Sequence, residues 1–239
     1  ILPSLSRSHA TDSLQEFSRT IDWGLRLVLL IALPSAIGLF MLARPMLATL
    51  FNYGDFSTAD VDMAGLSLMA YTLGLPAFML VKVLAPAFYS RKDTTTPVRI
   101  AVVALVTNMV LNLVFVVPLV MLDVPGPHAG LALATSLAAW VNAGLLYRML
   151  RKQQVYRPEP DWKRFFLQLG LAGAALAAVL FWGVQAMQVW FEWSVWSRMA
   201  WLLVWIEAGA AAYFIALQLA GLRLRSLRQQ RHDEDEGAA

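Results

Sequence analysis

The sequence predicts an all-α protein, a polytopic bundle of about six transmembrane helices. Three observations carry that prediction. First, 59% of the residues are hydrophobic and 15% are charged, whereas soluble domains run near 45–50% apolar and about 25% charged. Second, the apolar residues fall into six blocks, each near the roughly 20 residues that a hydrocarbon core requires. Third, Lys and Arg collect in alternate loops, as they do in multi-pass membrane proteins. Barrel strands alternate over about ten residues and a signal peptide has one short apolar region, so neither fits.

The chain opens on ILPSLSRSHA, which reads as the exit from a preceding helix, and residues 1–23 read as a cytoplasmic segment. Four spans follow within 24–157: Gly24 to Ala43, Leu66 to Phe88, Ile100 to Leu122 and Ala129 to Tyr147. Two more lie within 158–222, Phe165 to Trp190 and Met199 to Leu222. Pro34, Pro76, Pro86 and Pro118 sit inside spans; each removes a backbone donor and is expected to kink its helix. Interrupted helices point toward transporters, where broken segments line a cavity. The small-residue runs GLAGAALAA and EAGAAAYF predict close approach of the last two helices. Residues 223–239, basic and then acidic, read as a disordered tail whose start touches anionic headgroups.

Six spans place alternate loops on one side. That side collects Arg7, Arg19, Arg26, Arg91, Lys92, Arg99, Arg148, Arg151, Lys152, Arg157, Lys163, Arg164, Arg223, Arg225, Arg228 and Arg231, against Arg44 and Arg198 opposite. Both ends of the chain are therefore expected to be cytoplasmic. Trp190, Trp193, Trp196 and Trp201 cluster near the last outer loop and Trp23 and Trp162 near inner boundaries, the places of interfacial anchors.

Basic loops at every cytoplasmic helix end follow from orientation alone, so no nucleic-acid partner is expected and membrane lipids are. Catalytic patterns are missing: His9, His128 and His232 are scattered, with no HExxH and no Gly-rich phosphate loop. The absence of cysteine excludes disulfides, thiolate metal sites and cysteine nucleophiles. Glu159 and Asp161 in RPEPDW suit a rigid connector.

Polar residues inside spans carry the functional expectations. Lys82 lies about six residues, roughly 9 Å of rise, from the cytoplasmic end of its span. It either snorkels to the headgroups or faces a hydrated cavity, where it attracts an anionic group such as a phosphate. Glu207 lies deep in the last span at a level about 12 Å from Lys82, so the two are not expected to pair. Asn108 and Asn112 share one face of the third span, and Thr135 begins the next. They either hydrogen-bond between helices or supply neutral oxygens to a small hard cation, which usually wants five or six oxygens and often a carboxylate.

In order, ILPSLSR, DWGLRLVLLIALPSAIGL, LFNYGDFS, VKVLAPAFYSRKDTTTPV, NMVLNLVFVVPL and HAGLALATSLAAWVNAGLLY resemble the MurJ/MviN family of lipid II flippases, within the MOP superfamily that includes MATE-like multidrug antiporters. The resemblance runs to about Arg157 and weakens over the last two spans. It implies the C-terminal part of an inner-membrane flippase, with the N-terminal half of the same protein as its partner. Lipid II, the undecaprenyl-pyrophosphate-linked peptidoglycan precursor, is the implied substrate, moved by alternating access without covalent chemistry. The resemblance further implies a lipid-tail groove at the last two helices and places most pyrophosphate-binding arginines in the earlier half. Some members bind sodium (Na+) through an Asn and an Asp four residues apart and a Thr on the next helix. Asn108 and Thr135 match, but Asn112 stands where the Asp does, which weakens such a site. Alternatives are a polysaccharide or drug exporter of the same superfamily, or a membrane enzyme acting on polyprenyl carriers.

The topology is testable because the chain lacks cysteine. Single cysteines at Asp55, Asp123 and Ser194 should react with an impermeant thiol reagent from the periplasmic side. Those at Lys92, Lys152 and Arg228 should react only after permeabilisation; external labelling of Lys92→Cys overturns the orientation.

Overall fold

The structure is a computed structural model, and it describes residues 14–122, 127–184 and 187–222. Those residues form eight helices: α1 Leu14–Phe51, α2 Thr58–Thr72, α3 Leu75–Tyr89, α4 Thr95–Met121, α5 Pro127–Lys152, α6 Trp162–Gly183, the short α7 Met187–Glu192, and α8 Val195–Leu219. Taking α2 and α3 as one span gives six helical stretches long and apolar enough to cross a membrane, as the apolar blocks predict. Arg7, Asp123, Arg223, Arg225, Arg228, Arg231 and the acidic tail lie outside the described residues.

At 38 residues, α1 is about 57 Å long at 1.5 Å per residue, well beyond its predicted block. It begins ten residues before Gly24, because Phe17, Ser18, Ile21 and Asp22 are already buried against neighbours. On one side of α1 stand α2, α3 and α5, with α4 outermost against α5; on the other stands the α6/α8 pair. Two apolar cores follow. One gathers Phe17, Ile21 and Leu25 of α1 with Leu84 and Phe88 of α3, Leu146 and Leu150 of α5, and Tyr156. The other joins Leu30 and Leu42 of α1 to Leu169, Leu176 and Leu180 of α6 and Tyr213 and Leu217 of α8.

The predicted close approach of the last two helices is present. A Cβ on Gly209 of α8 would stand 2.7 Å from Leu176 Cδ1 of α6, and one on Gly173 of α6 would stand 2.9 Å from Ile37 Cδ1 of α1. Small residues thus seat α6 between its two neighbours.

Three expectations are corrected. The fifth span does not run to Trp190: α6 ends at Gly183, where the Trp205 indole fills the space a Cβ would take, and Trp190 belongs to α7. Trp190 is not an interfacial anchor. Trp190 is buried and its Nε1 donates to Thr49 Oγ1 at 3.1 Å, while Trp162 Nε1 donates to Asp22 Oδ1 at 2.7 Å. Finally, Pro76 starts a helix rather than kinking one. The second span is interrupted at Leu73 and Gly74, and Pro76 takes the first turn of α3, where its missing N–H costs least.

The interruption is held from α5. Ser136 Oγ donates to Ala70 O at 2.7 Å, and Trp140 Nε1 to Leu73 O at 2.9 Å. Gly74 is required for this approach, since a Cβ there would lie 2.7 Å from Ser136 Cα. Gly74→Ala should therefore destabilise the protein by about 1–3 kcal/mol through overpacking against backbone. Trp140→Phe should cost about 1 kcal/mol for one lost hydrogen bond. Thermal denaturation of the purified variants measures both.

Candidate functional site

Each carbonyl that a proline orphans is an opening for a side chain from elsewhere. Pro34 leaves Leu30 O without the N–H of residue 34, and Tyr213 OH of α8 donates to that oxygen at 2.8 Å. At the C-terminal end of α1, Arg198 is buried and spreads its guanidinium over Ala48 O at 3.1 Å, Asn52 Oδ1 at 3.4 Å, Trp193 O at 3.1 Å and Phe191 O at 2.7 Å. It caps the negative end of the α1 dipole and ties α7 and α8 to it. Arg198 enters the sequence reading only as an outer-loop charge.

At the N-terminal end of α1, Asp22 is 2% exposed and collects the connector between α5 and α6. Its Oδ1 accepts from Tyr156 OH at 2.6 Å and Trp162 Nε1 at 2.7 Å, and its Oδ2 from Arg26 Nε at 2.7 Å. The Arg26 guanidinium also lies over the Trp162 ring at 5.2 Å and within 3.7 Å of Glu159 Oε2. Ser18 Oγ donates to Arg157 O at 3.1 Å and accepts from Arg157 N at 2.8 Å. Burial first, and then the bond to Asp22, push the Tyr156 hydroxyl well above its ordinary pKa, so it remains a donor. The RPEPDW connector is rigid because it is fastened to a buried carboxylate. The pair DWGLR, Asp22 and Arg26 at i and i+4, was the available signal.

Among the predicted site residues the structure brings three together. Asn108 Nδ2 donates to Thr135 Oγ1 at 3.2 Å, Asn112 Nδ2 donates to Asn108 Oδ1 at 3.0 Å, and Thr135 Oγ1 donates to Leu131 O at 2.9 Å. Asn112 Oδ1 is buried without a partner among the described residues. Lys82 stands apart from this cluster, exposed on α3, with no ion pair among the described residues. Glu207 is exposed on α8, and no ion pair joins it to Lys82 among the described residues. Following α3, the turn SRKD places Lys92 at φ 60°, and Asp93 Oδ1 accepts from Thr96 N at 3.0 Å at the start of α4. A bond from the Thr96 side chain first, and this backbone bond second, hold the Asp93 carboxyl below the usual range. No group of three or more His, Cys, Asp or Glu residues that could hold a metal occurs among the described residues.

Asp22 gives a graded test. Tyr156→Phe should lower stability by about 1.5–3 kcal/mol, the range for a hydrogen bond to a charged group. Asp22→Ala should cost about 3–5 kcal/mol because Arg26 loses its close partner. The double variant should cost less than the sum. Denaturant or thermal unfolding of the four proteins measures the coupling, and strict additivity would exclude a shared network.

Comparison with known proteins agrees with this arrangement. The family model described as Lipid II flippase MurJ matches residues 1–203. A protein of Vibrio cholerae named probable lipid II flippase MurJ is 42% identical over 228 residues, covering 95% of this chain and 42% of its own length. The lipid II flippase MurJ of Burkholderia cenocepacia is 39% identical over 96% of this chain and 43% of its own length. The chain thus spans about two fifths of the length of these curated relatives. A solved lipid II flippase MurJ in an inward closed conformation superposes with a TM-score of 0.70 over 92% of this chain and 42% of that one, at 24% identity. At that identity the likeness shows the fold, and the sequence matches show the lineage. The chain belongs to the lipid II flippase MurJ family.

Proposed function

We propose that this chain is the C-terminal part of a lipid II flippase of the bacterial inner membrane, with both of its ends cytoplasmic and the N-terminal half of the same protein as its partner. The ordered match of residues 1–203 to the family carries this reading. The protein moves the undecaprenyl-pyrophosphate-linked precursor between leaflets by alternating access and makes or breaks no covalent bond.

The physical task is to carry an anionic headgroup through a layer that excludes charge while its tail stays in lipid. Lys82 supports the first part. It is a cation exposed partway along an otherwise apolar helix, and such residues mark substrate pathways by default. The interrupted span α2/α3 beneath it supports the moving part, since discontinuous helices recur where transporters line a cavity. Exposed apolar side chains on α6 and α8, among them Leu167, Leu171, Leu203 and Phe214, suit the polyprenyl tail and surrounding membrane lipids.

Complementation of a flippase-depleted strain by the full-length protein, at matched expression, tests the role of Lys82. Lys82→Gln should lose part of the activity and Lys82→Arg should retain more. Partial loss is expected because a hydrated cavity screens charge. Equal growth of the parent and both variants assigns Lys82 to the headgroup interface.

A further inference from the structure

We propose that Asn112 turns the polar contact between α4 and α5 into a sodium-independent hydrogen-bond relay. The arrangement has one internally consistent polarity. Thr135 gives its single hydroxyl hydrogen to Leu131 O, so its oxygen is free to accept from Asn108 Nδ2. Asn108 must then present Oδ1 to Asn112, which answers with Nδ2. Amide orientations are fixed by such networks, and this one runs in a single direction from Asn112 to Leu131.

A sodium ion does not fit these residues as they stand. Both amide groups aim N–H hydrogens into the cluster, at Thr135 Oγ1 and Asn108 Oδ1, where a cation needs lone pairs. Each of these bonds takes up one of the lone pairs that a cation would use. Of the side-chain oxygens of these three residues, only Asn112 Oδ1 is without a partner among the described residues, whereas a hard cation needs about five or six oxygens. An aspartate at position 112 would reverse this, replacing an N–H with a second oxygen and adding a negative charge. The relay instead leaves one open acceptor at its start, Asn112 Oδ1, whose chemistry calls for an N–H or O–H donor.

The inference does not depend on the flippase reading, because its test reads stability rather than transport. The full-length protein, purified in detergent, is melted in sodium chloride and in choline chloride at equal ionic strength, with tryptophan fluorescence as the signal. The parent should melt at the same temperature in both salts. Asn112→Asp should gain a sodium-specific rise of about 2–4 °C, the size expected of a ligand that binds only the folded state. Thr135→Val, which removes the relay's acceptor, should lower the melting temperature equally in both salts. Sodium-specific stabilisation of the parent, a Thr135→Val loss confined to sodium chloride, or an Asn112→Asp variant that folds but ignores sodium would each overturn the proposal. Should Asn112→Asp not fold, the parent and Thr135→Val decide the question.

Discussion

A hydrocarbon layer offers no hydrogen-bond partner to a backbone carbonyl that its own helix has abandoned. Much of this structure can be understood as the answer to that constraint. Pro34 exposes Leu30 O, and Tyr213 of α8 is drawn to it. The gap between α2 and α3 exposes Ala70 O and Leu73 O, and Ser136 and Trp140 of α5 fill it. The end of α1 exposes Ala48 O, and Arg198 covers it. Each defect in one helix becomes an attachment point for another, where apolar contact alone would leave helices free to slide.

The same logic explains why α5 presents neighbouring side chains to different partners. Thr135 faces α4 and Ser136 faces α2, so one helix joins the outermost element to the interrupted span. On the far side of α1, the α6/α8 pair forms its own apolar core. The Asp22 clasp and Arg198 fasten its two ends to α1. The bundle is two packed groups sharing one long helix, and polar contacts at defined levels set their relative position.

The architecture was legible in the sequence because the bilayer imposes a simple code of block length, and six apolar helical stretches answer to it. The grouping of Asn108, Asn112 and Thr135 was accessible from helix spacing. Less legible were the functions of side chains near span ends. Arg198 and Trp190 carry the composition of an outer loop, yet both are buried, because a short helix folds back over the end of α1. The importance of Asp22 likewise depends on Tyr156 and Trp162, more than 130 positions away in sequence. Periodicity reports which face is apolar, whereas contacts of that separation exist only once the bundle has closed.

The fastening of α1 at both ends has a mechanical consequence. From Asp22 to Ala48 is about 39 Å along a helix axis, close to the thickness of a bilayer with its headgroups. A lone helix meets a thinner or thicker bilayer by tilting or by fraying at its ends. Here tilting drags both packed groups with it, and fraying at either end must first break a buried charged contact. The long helix thus acts as a gauge of fixed length, and hydrophobic mismatch is passed to the surrounding lipid, which must thin or thicken around the bundle.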